Sequence, residues 1–406
     1  MSAKRQAYVR RVRRDEAALW KGARPLLTWL DIELTERCNN DCVHCSVNRP
    51  AGDLEARRRE LGTAEVEGLL ESAAALGCLT VRLTGGEPLV RDDFEEIYLF
   101  ARKLGLRVMI FTNAALITAG LADLLARVPP RELIEVSVVG LEAGAHEAVT
   151  RAPGSFGAAR RGLGLLAERR IPFFIKGALL PANRGDKARF EEWARGLSGQ
   201  ERSAWVTFLD LRSRRDGGRN ALIRSQRADP EEVRRDTAAL PAPEKNELLE
   251  FIAAHAGVTG ARLFGCLEAG GKGAVDAYGM FQHCLPLRHP DTVFDLKKGT
   301  LRSAVAEHLP AVRAMKARDP DYLGRCGRCF LKSFCLQCPA KAWAEHGTLD
   351  TPVEYLCRVA HAQAVALGVL AEGERSWTVG DWERRVPRPA AGSGASRPAR
   401  ECSHDE

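Results

Sequence analysis

Between residues 28 and 211, short apolar runs alternate with longer stretches in which apolar positions recur three and four residues apart. The first pattern fits buried strands and the second fits helices that lay one stripe on a sheet. Strands are predicted over 29–35, 79–84, 107–112, 133–139, 173–180 and 206–211, with helices over 63–76, 92–104, 119–127, 156–169 and 187–197. Such alternation is the mark of repeated βα units around a parallel sheet. Past residue 211 the rhythm breaks. Residues 212–243 are polar and Arg-rich, 244–256 and 355–372 read as helices, and 387–406 are rich in Pro, Ala, Gly, Ser and Arg without apolar period, which predicts disorder. The expected division is an N-terminal extension (1–27), a βα body (28–243), a Cys-rich domain (244–372) and a largely disordered tail (373–406).

Composition narrows the class but names no function. Of the 406 residues, 45% are apolar and 28% charged, as in ordinary globular proteins. No apolar run approaches the roughly 18–20 residues that cross a bilayer, and the basic start from Met1 to Arg14 has no signal-peptide core behind it, so a cytoplasmic protein without a membrane partner is expected. The net charge of +7 is spread along the chain, which favours a solvated surface over a nucleic-acid site. In a reducing compartment twelve cysteines point to metal or thiol chemistry and away from disulfides. Three stand at 38, 42 and 45 and seven lie from Cys266 to Cys357, with none between Cys78 and Cys266: two metal-binding regions flank a body without thiols.

The segment Thr35-Glu-Arg-Cys38-Asn-Asn-Asp-Cys42-Val-His-Cys45 places three thiols just after the first predicted strand. Three thiolates can hold three irons of a cubane [4Fe–4S] cluster and leave the fourth open to a ligand, whereas structural sites use a full ligand set. A zinc site completed by His44 is the bland alternative, disfavoured because His44 stands between two of the cysteines. The Cys-x3-Cys-x2-Cys spacing resembles the hallmark of the radical S-adenosylmethionine (SAM) superfamily. That resemblance implies that Cys38, Cys42 and Cys45 carry the catalytic cluster and that its open iron chelates SAM. Thr84-Gly85-Gly86-Glu87-Pro88 resembles the family's Gly-Gly-Glu-Pro motif at the methionine end of SAM, with the glycines giving close backbone approach to the ligand and Glu87 an acceptor for its ammonium. Asn113, in Thr112-Asn113-Ala114, and Ser137, in Ser137-Val-Val-Gly140, resemble two further SAM-contacting segments, although Gly is replaced at 114 and Asp at 139.

The later cysteines run Cys266, Cys284, Cys326-x2-Cys329-x5-Cys335-x2-Cys338 and Cys357. A zinc ribbon needs a longer gap between its Cys-x2-Cys knuckles and leaves three thiols unexplained. The pattern resembles the SPASM domain, which implies two auxiliary [4Fe–4S] clusters: an outer one on Cys326, Cys329, Cys335 and Cys357, and an inner one on Cys266, Cys284 and Cys338. Only Leu336 and Gln337 separate the last pair of the run, where the family pattern has three residues. Cys78 reads as a small core residue and Cys402 as a tail residue without a role.

Taken together, the resemblances imply an α/β fold, a partial (β/α)6 TIM-like barrel with a C-terminal Cys-rich iron–sulfur domain. They imply an oxidoreductase that cleaves SAM reductively to a 5′-deoxyadenosyl radical and abstracts hydrogen from a substrate. A ribosomal peptide or protein side chain is the expected substrate, with a flavodoxin or ferredoxin as electron donor and a separate leader-peptide-binding protein as a further partner. Sulfatase maturation and haem or quinone cofactor synthesis are the alternatives within the family. A non-catalytic electron carrier and a zinc-stabilised binding module are the alternatives outside it. Arg212, Arg215 and Asn220 are read either as cavity residues or as surface.

Overall fold

A computed structural model describes residues 27–200, 204–206, 209–265 and 271–386. The predicted N-terminal extension but for its last residue, the tail from 387 onward, Cys266 and Cys402 lie outside the described residues. The βα body forms as expected. Strands β1 (Trp29–Thr35), β2 (Thr80–Gly85), β3 (Arg107–Thr112), β4 (Arg131–Ser137), β5 (Phe173–Ala178) and β6 (Ala204–Val206) follow one another in parallel. Among the helices between them are α1 (Thr63–Ala75), α2 (Phe94–Lys103), α3 (Ala119–Arg127), α4 (Ala143–Thr150), α5 (Ser155–Glu168) and α6 (Lys187–Ser198). Helix α4 was not expected from the apolar pattern.

Period two along the strands sorts the residues into two environments. Leu30, Ile32, Val81, Leu83, Val108, Ile110, Ile134, Val136 and Ile175 enter one large core with Leu70, Ile97, Leu121, Leu125 and Leu166 from the helices. The opposite face is polar. Buried Asp31 and Arg82 pair across β1 and β2 at 2.5 Å, and the Arg82 guanidinium and Lys176 ammonium both lie over the Phe111 ring. A parallel sheet lined on its inner face by charge is a cavity wall and not a second hydrophobic layer.

No break in the sheet marks the boundary expected near residue 245. Strand β7 (Lys272–Val275) adds in parallel to the free edge of β1, and β8 (Met280–Gln282) and β9 (Phe294–Asp295) continue the sheet antiparallel, so the order is β9-β8-β7-β1-β2-β3-β4-β5-β6. The polar segment after β6 is partly helical, with α7 (Gly217–Ser225) and α8 (Pro230–Ala239) leading to α9 (Ala242–His255). The Cys-rich region holds α10 (Pro339–His346) and α11 (Glu354–Ala366). Residues 373–386, expected in the disordered tail, are packed instead: Ser376 is buried, and Trp382 stacks on Phe330 with ring centroids 5.5 Å apart. Among the described residues no helix is long and apolar enough to cross a membrane.

Candidate functional site

The loop after β1 is held open by its own backbone. Arg37–Cys38 pairs in parallel with Arg49–Pro50, while the amides of Asp41 and Val43 donate to the carbonyls of Thr150 and Val149 at the end of α4. Between these two anchors Cys38, Cys42 and Cys45 stand outside any disulfide. The Cys38 sulfur accepts from the Asn40 amide at 3.4 Å, and the Cys45 sulfur from the amides of Val47 and Asn48 at 3.5 and 3.3 Å. Burial pushes the Cys38 and Cys42 thiols well up, and the negative charge of Cys45 opposes ionisation of both. Three thiolates in such a place need a cation among them. His44 has its Nδ1 buried without a hydrogen-bond partner, and burial, with Lys176 second, lowers its pKa to about 4.

Gly85 and Gly86 lie against this loop. Their amide neighbours tie the strand ends together: Gly86 N donates to Thr35 O at 2.7 Å and Glu87 N to Arg37 O at 2.9 Å. A Cβ at Gly85, whose φ is +148°, would collide with the Thr35 carbonyl, and one at Gly86 with the Arg37 carbonyl. The glycines therefore permit backbone to meet backbone. Glu87 is likewise held by the protein. Its carboxylate is fully buried and accepts from Thr112 Oγ1 at 2.8 Å, Asn113 N at 2.7 Å and Leu89 N at 3.2 Å. Both of its oxygens are thus engaged by the protein, tying β2 to β3, and burial raises its pKa to about 7. Pro88 opens a short 3-10 turn capped by Glu87. Asn113 reaches the thiol loop by donating to Asn39 Oδ1 at 2.9 Å, and Ser137 ends β4 with its side chain exposed. Ala114, where the family pattern has Gly, takes the left-handed φ of 59°.

In the C-terminal region Cys326, Cys329, Cys335 and Cys357 line one cavity together with Lys332, His361 and Trp377. Burial raises the pKa of each of these thiols, and other thiols of the set raise Cys326, Cys329 and Cys335 further. Cys329 Sγ lies 2.9 Å from Ser376 Oγ, and Arg325 lies 3.7 Å from Cys357 Sγ. Cys284 and Cys338, with Cys326, border an apolar cluster around Leu263, Leu287 and Ala340. Cys78 donates to Thr80 O at 3.1 Å from within the core, as a small core residue would.

The model of the family described as "Radical SAM superfamily" matches residues 32–190, the span from β1 to α6 that contains the thiol loop and the Gly-Gly-Glu-Pro turn. Residues 32–190 form a radical SAM domain. The chain is an enzyme whose cofactors are a [4Fe–4S] cluster and SAM. An AdoMet-dependent heme synthase of Methanosarcina barkeri (strain Fusaro / DSM 804) is 28% identical over 345 residues, covering 79% of this chain and 93% of the relative. Among solved structures, native anSMEcpe with bound AdoMet matches with a TM-score of 0.57 at 14% identity, over 84% of this chain and 96% of that one. Streptococcus suis SuiB bound to precursor peptide SuiA matches with a TM-score of 0.57 at 16% identity, over 82% and 76%. At such identities these two establish the fold, a radical SAM barrel with a Cys-rich C-terminal extension.

Residues around the thiol loop that sequence reading passed over come from outside the motifs. Arg288, four residues beyond Cys284, lies between Glu33 of β1 at 2.5 Å and Glu36 of the thiol loop at 2.8 Å, and Tyr278 OH also donates to Glu36. Arg214 pairs with Glu36 as well. Arg212, expected at the cavity or the surface, grips the thiol loop and is bonded in turn by Asn220, whereas Arg215 stands apart with its guanidinium over the Trp343 ring at 5.5 Å. No sequence signal marks these pairings, because their members lie far apart along the chain.

Proposed function

We propose that this enzyme binds its cluster through Cys38, Cys42 and Cys45 and uses SAM to abstract hydrogen from an organic substrate held against the polar face of the barrel. The observation that carries this reading is the set of three thiols on one loop, Cys38 buried and Cys42 and Cys45 half-buried, at the carboxyl end of β1 and against Gly85–Glu87. The donor set fits a cubane with one open iron: all three ligands are soft thiols, two of the sulfurs already accept backbone N–H groups, and their ionisation requires a cation. When bound, the cluster and SAM supply a 5′-deoxyadenosyl radical that removes a hydrogen atom from the substrate. Asn113 and Ser137, at the carboxyl ends of β3 and β4, would contact SAM along the strand ends, where barrels of this kind place ligands. Gly85, Gly86, Glu87 and Pro88 would shape its methionine end through backbone groups.

The same chemistry supports two auxiliary clusters, an outer one on Cys326, Cys329, Cys335 and Cys357 and an inner one using Cys266, Cys284 and Cys338. A flavodoxin or ferredoxin would donate the electron. For the substrate, likeness over 93% of an AdoMet-dependent heme synthase favours a haem-synthesis role. A peptide or protein substrate, with a separate leader-peptide-binding partner, is the second reading, favoured by a fold shared with SuiB, which is solved with a precursor peptide.

Anaerobic reconstitution with iron and sulfide, then SAM and dithionite, tests the core reading. Wild type should form 5′-deoxyadenosine and Cys38→Ala none above background; absence from wild type, or retention by the variant, overturns it. A rise in 5′-deoxyadenosine on adding an iron-porphyrin haem precursor supports the first substrate reading, and a rise with peptide alone supports the second.

A further inference from the structure

Asn48, three residues beyond Cys45, is buried with every polar group engaged. Its amide donates to Cys45 Sγ at 3.3 Å and its Nδ2 to Asn40 O at 3.1 Å, so it joins both halves of the thiol loop. Its backbone oxygen and its Oδ1 both accept from Arg212 Nη2, at 2.8 and 2.5 Å, and Arg212 Nε donates to the Cys45 carbonyl at 3.3 Å. Because a guanidinium only donates, the orientation of the Asn48 amide is fixed. Arg212 is itself held from behind: its amide donates to Asn220 Oδ1 at 2.7 Å, and buried Asn220 belongs to α7. One turn of that helix also presents Arg219, which pairs with Asp41 of the loop and donates to Asn48 Oδ1 at 3.2 Å.

We propose that Arg212 is a positioning residue for the N-terminal cluster, acting through Asn48 to hold Cys45 in place before iron arrives. The proposal rests on the reading that Cys45 is a cluster ligand. Before iron arrives the loop between Asn40 and Asn48 needs a restraint that holds Cys45 in place. The guanidinium fork supplies that restraint from the far end of the barrel, reaching two residues of the loop at once. A lysine offers one compact charge in its place and can satisfy only part of the set. Closing the loop thus depends on the segment after β6, and the cluster site is complete only when first and last strands of the barrel are both in place.

The test compares wild type, Arg212→Gln, Arg212→Lys and Asn48→Ser as full-length chains. In the metal-free state, hydrogen exchange read by mass spectrometry should quicken roughly tenfold over 38–50 in Arg212→Gln and Asn48→Ser, the effect of losing charge-assisted hydrogen bonds, and less in Arg212→Lys. Strands β3 and β4 should exchange as in wild type. In reconstituted protein, the change in the electron paramagnetic resonance spectrum on adding SAM should weaken in the same order. Unchanged exchange over 38–50 in Arg212→Gln overturns the proposal, as does equal loosening of β3 and β4, which would make Arg212 a residue of the fold. If wild type itself shows no spectral response to SAM, the cluster reading fails while the exchange data still decide the role of Arg212.

Discussion

At the scale of single residues, Ala114 shows how the chain absorbs a departure from its family's pattern. A left-handed backbone costs an L-residue about 1 kcal/mol, and Ala114 keeps that conformation because the Thr112 hydroxyl accepts its amide and α5 closes over it. Gly162 of α5 makes the closure possible, since a Cβ there would strike the Ala114 carbonyl. Gly162→Ala should therefore lower unfolding stability by about 2–3 kcal/mol in urea titration, against a gain of up to about 1 kcal/mol for an ordinary exposed helical glycine. His146 allows a pH prediction. Burial holds its pKa near 4, below the value of about 6.5 in an unfolded chain. Between these values the unfolded state binds the extra proton, so stability contributed by the neutral ring is complete above pH 6.5 and is lost as pH falls toward 4. His146→Gln should flatten the fall in stability over that window, by at most ~3 kcal/mol, measured on the metal-free chain by denaturation at several pH values.

Among elements, the shortened spacing between Cys335 and Cys338 has a specific solution. Leu336 takes φ of 57°, reversing the chain within one residue, and Gln337 locks the turn by accepting from Val353 N at 3.0 Å. Cys335 thereby stays in the cavity with Cys326, Cys329 and Cys357, while Cys338 becomes the N-cap residue of α10 beside an apolar cluster that Cys326 also borders. Glycine carries no penalty in that conformation, so Leu336→Gly should raise the apo-protein's stability by up to about 1 kcal/mol while leaving the iron content unchanged, checked by thermal melting and by iron per chain. The segment 373–386 is the converse case. Its composition carries no helical stripe, yet Ser376, Trp377 and Trp382 find partners on the Cys-bearing core.

For the whole molecule, barrel and Cys-rich region meet in a buried charge cluster and not across a flexible linker. Arg288 approaches Cys284 in sequence and Glu33 and Glu36 in space, so the loop bearing one candidate auxiliary ligand is tied to the loop bearing Cys38. Burial pushes the Glu33 carboxyl up despite Arg288, and removing the guanidinium would leave two enclosed carboxylates with less compensation. Arg288→Met should cost about 3 kcal/mol, the scale of breaking one side of a buried pair, and the loss should appear in the urea midpoint of the whole chain. Unfolding of the C-terminal region alone would contradict this coupling.

What the sequence by itself determined was local and periodic. The strand–helix alternation, the thiol spacing at 38–45 and the Gly-Gly-Glu-Pro turn are each contained in a few consecutive residues, so their geometry follows from backbone rules and ligand chemistry. The addition of β7 to β1, the enclosure of Glu87, the packing of 373–386, and the grip of Arg212 and Arg288 on the thiol loop were decided only by the tertiary structure. Each joins residues too distant in the chain for periodicity to register, and a charged side chain reads alike in sequence whether it meets water or a buried partner.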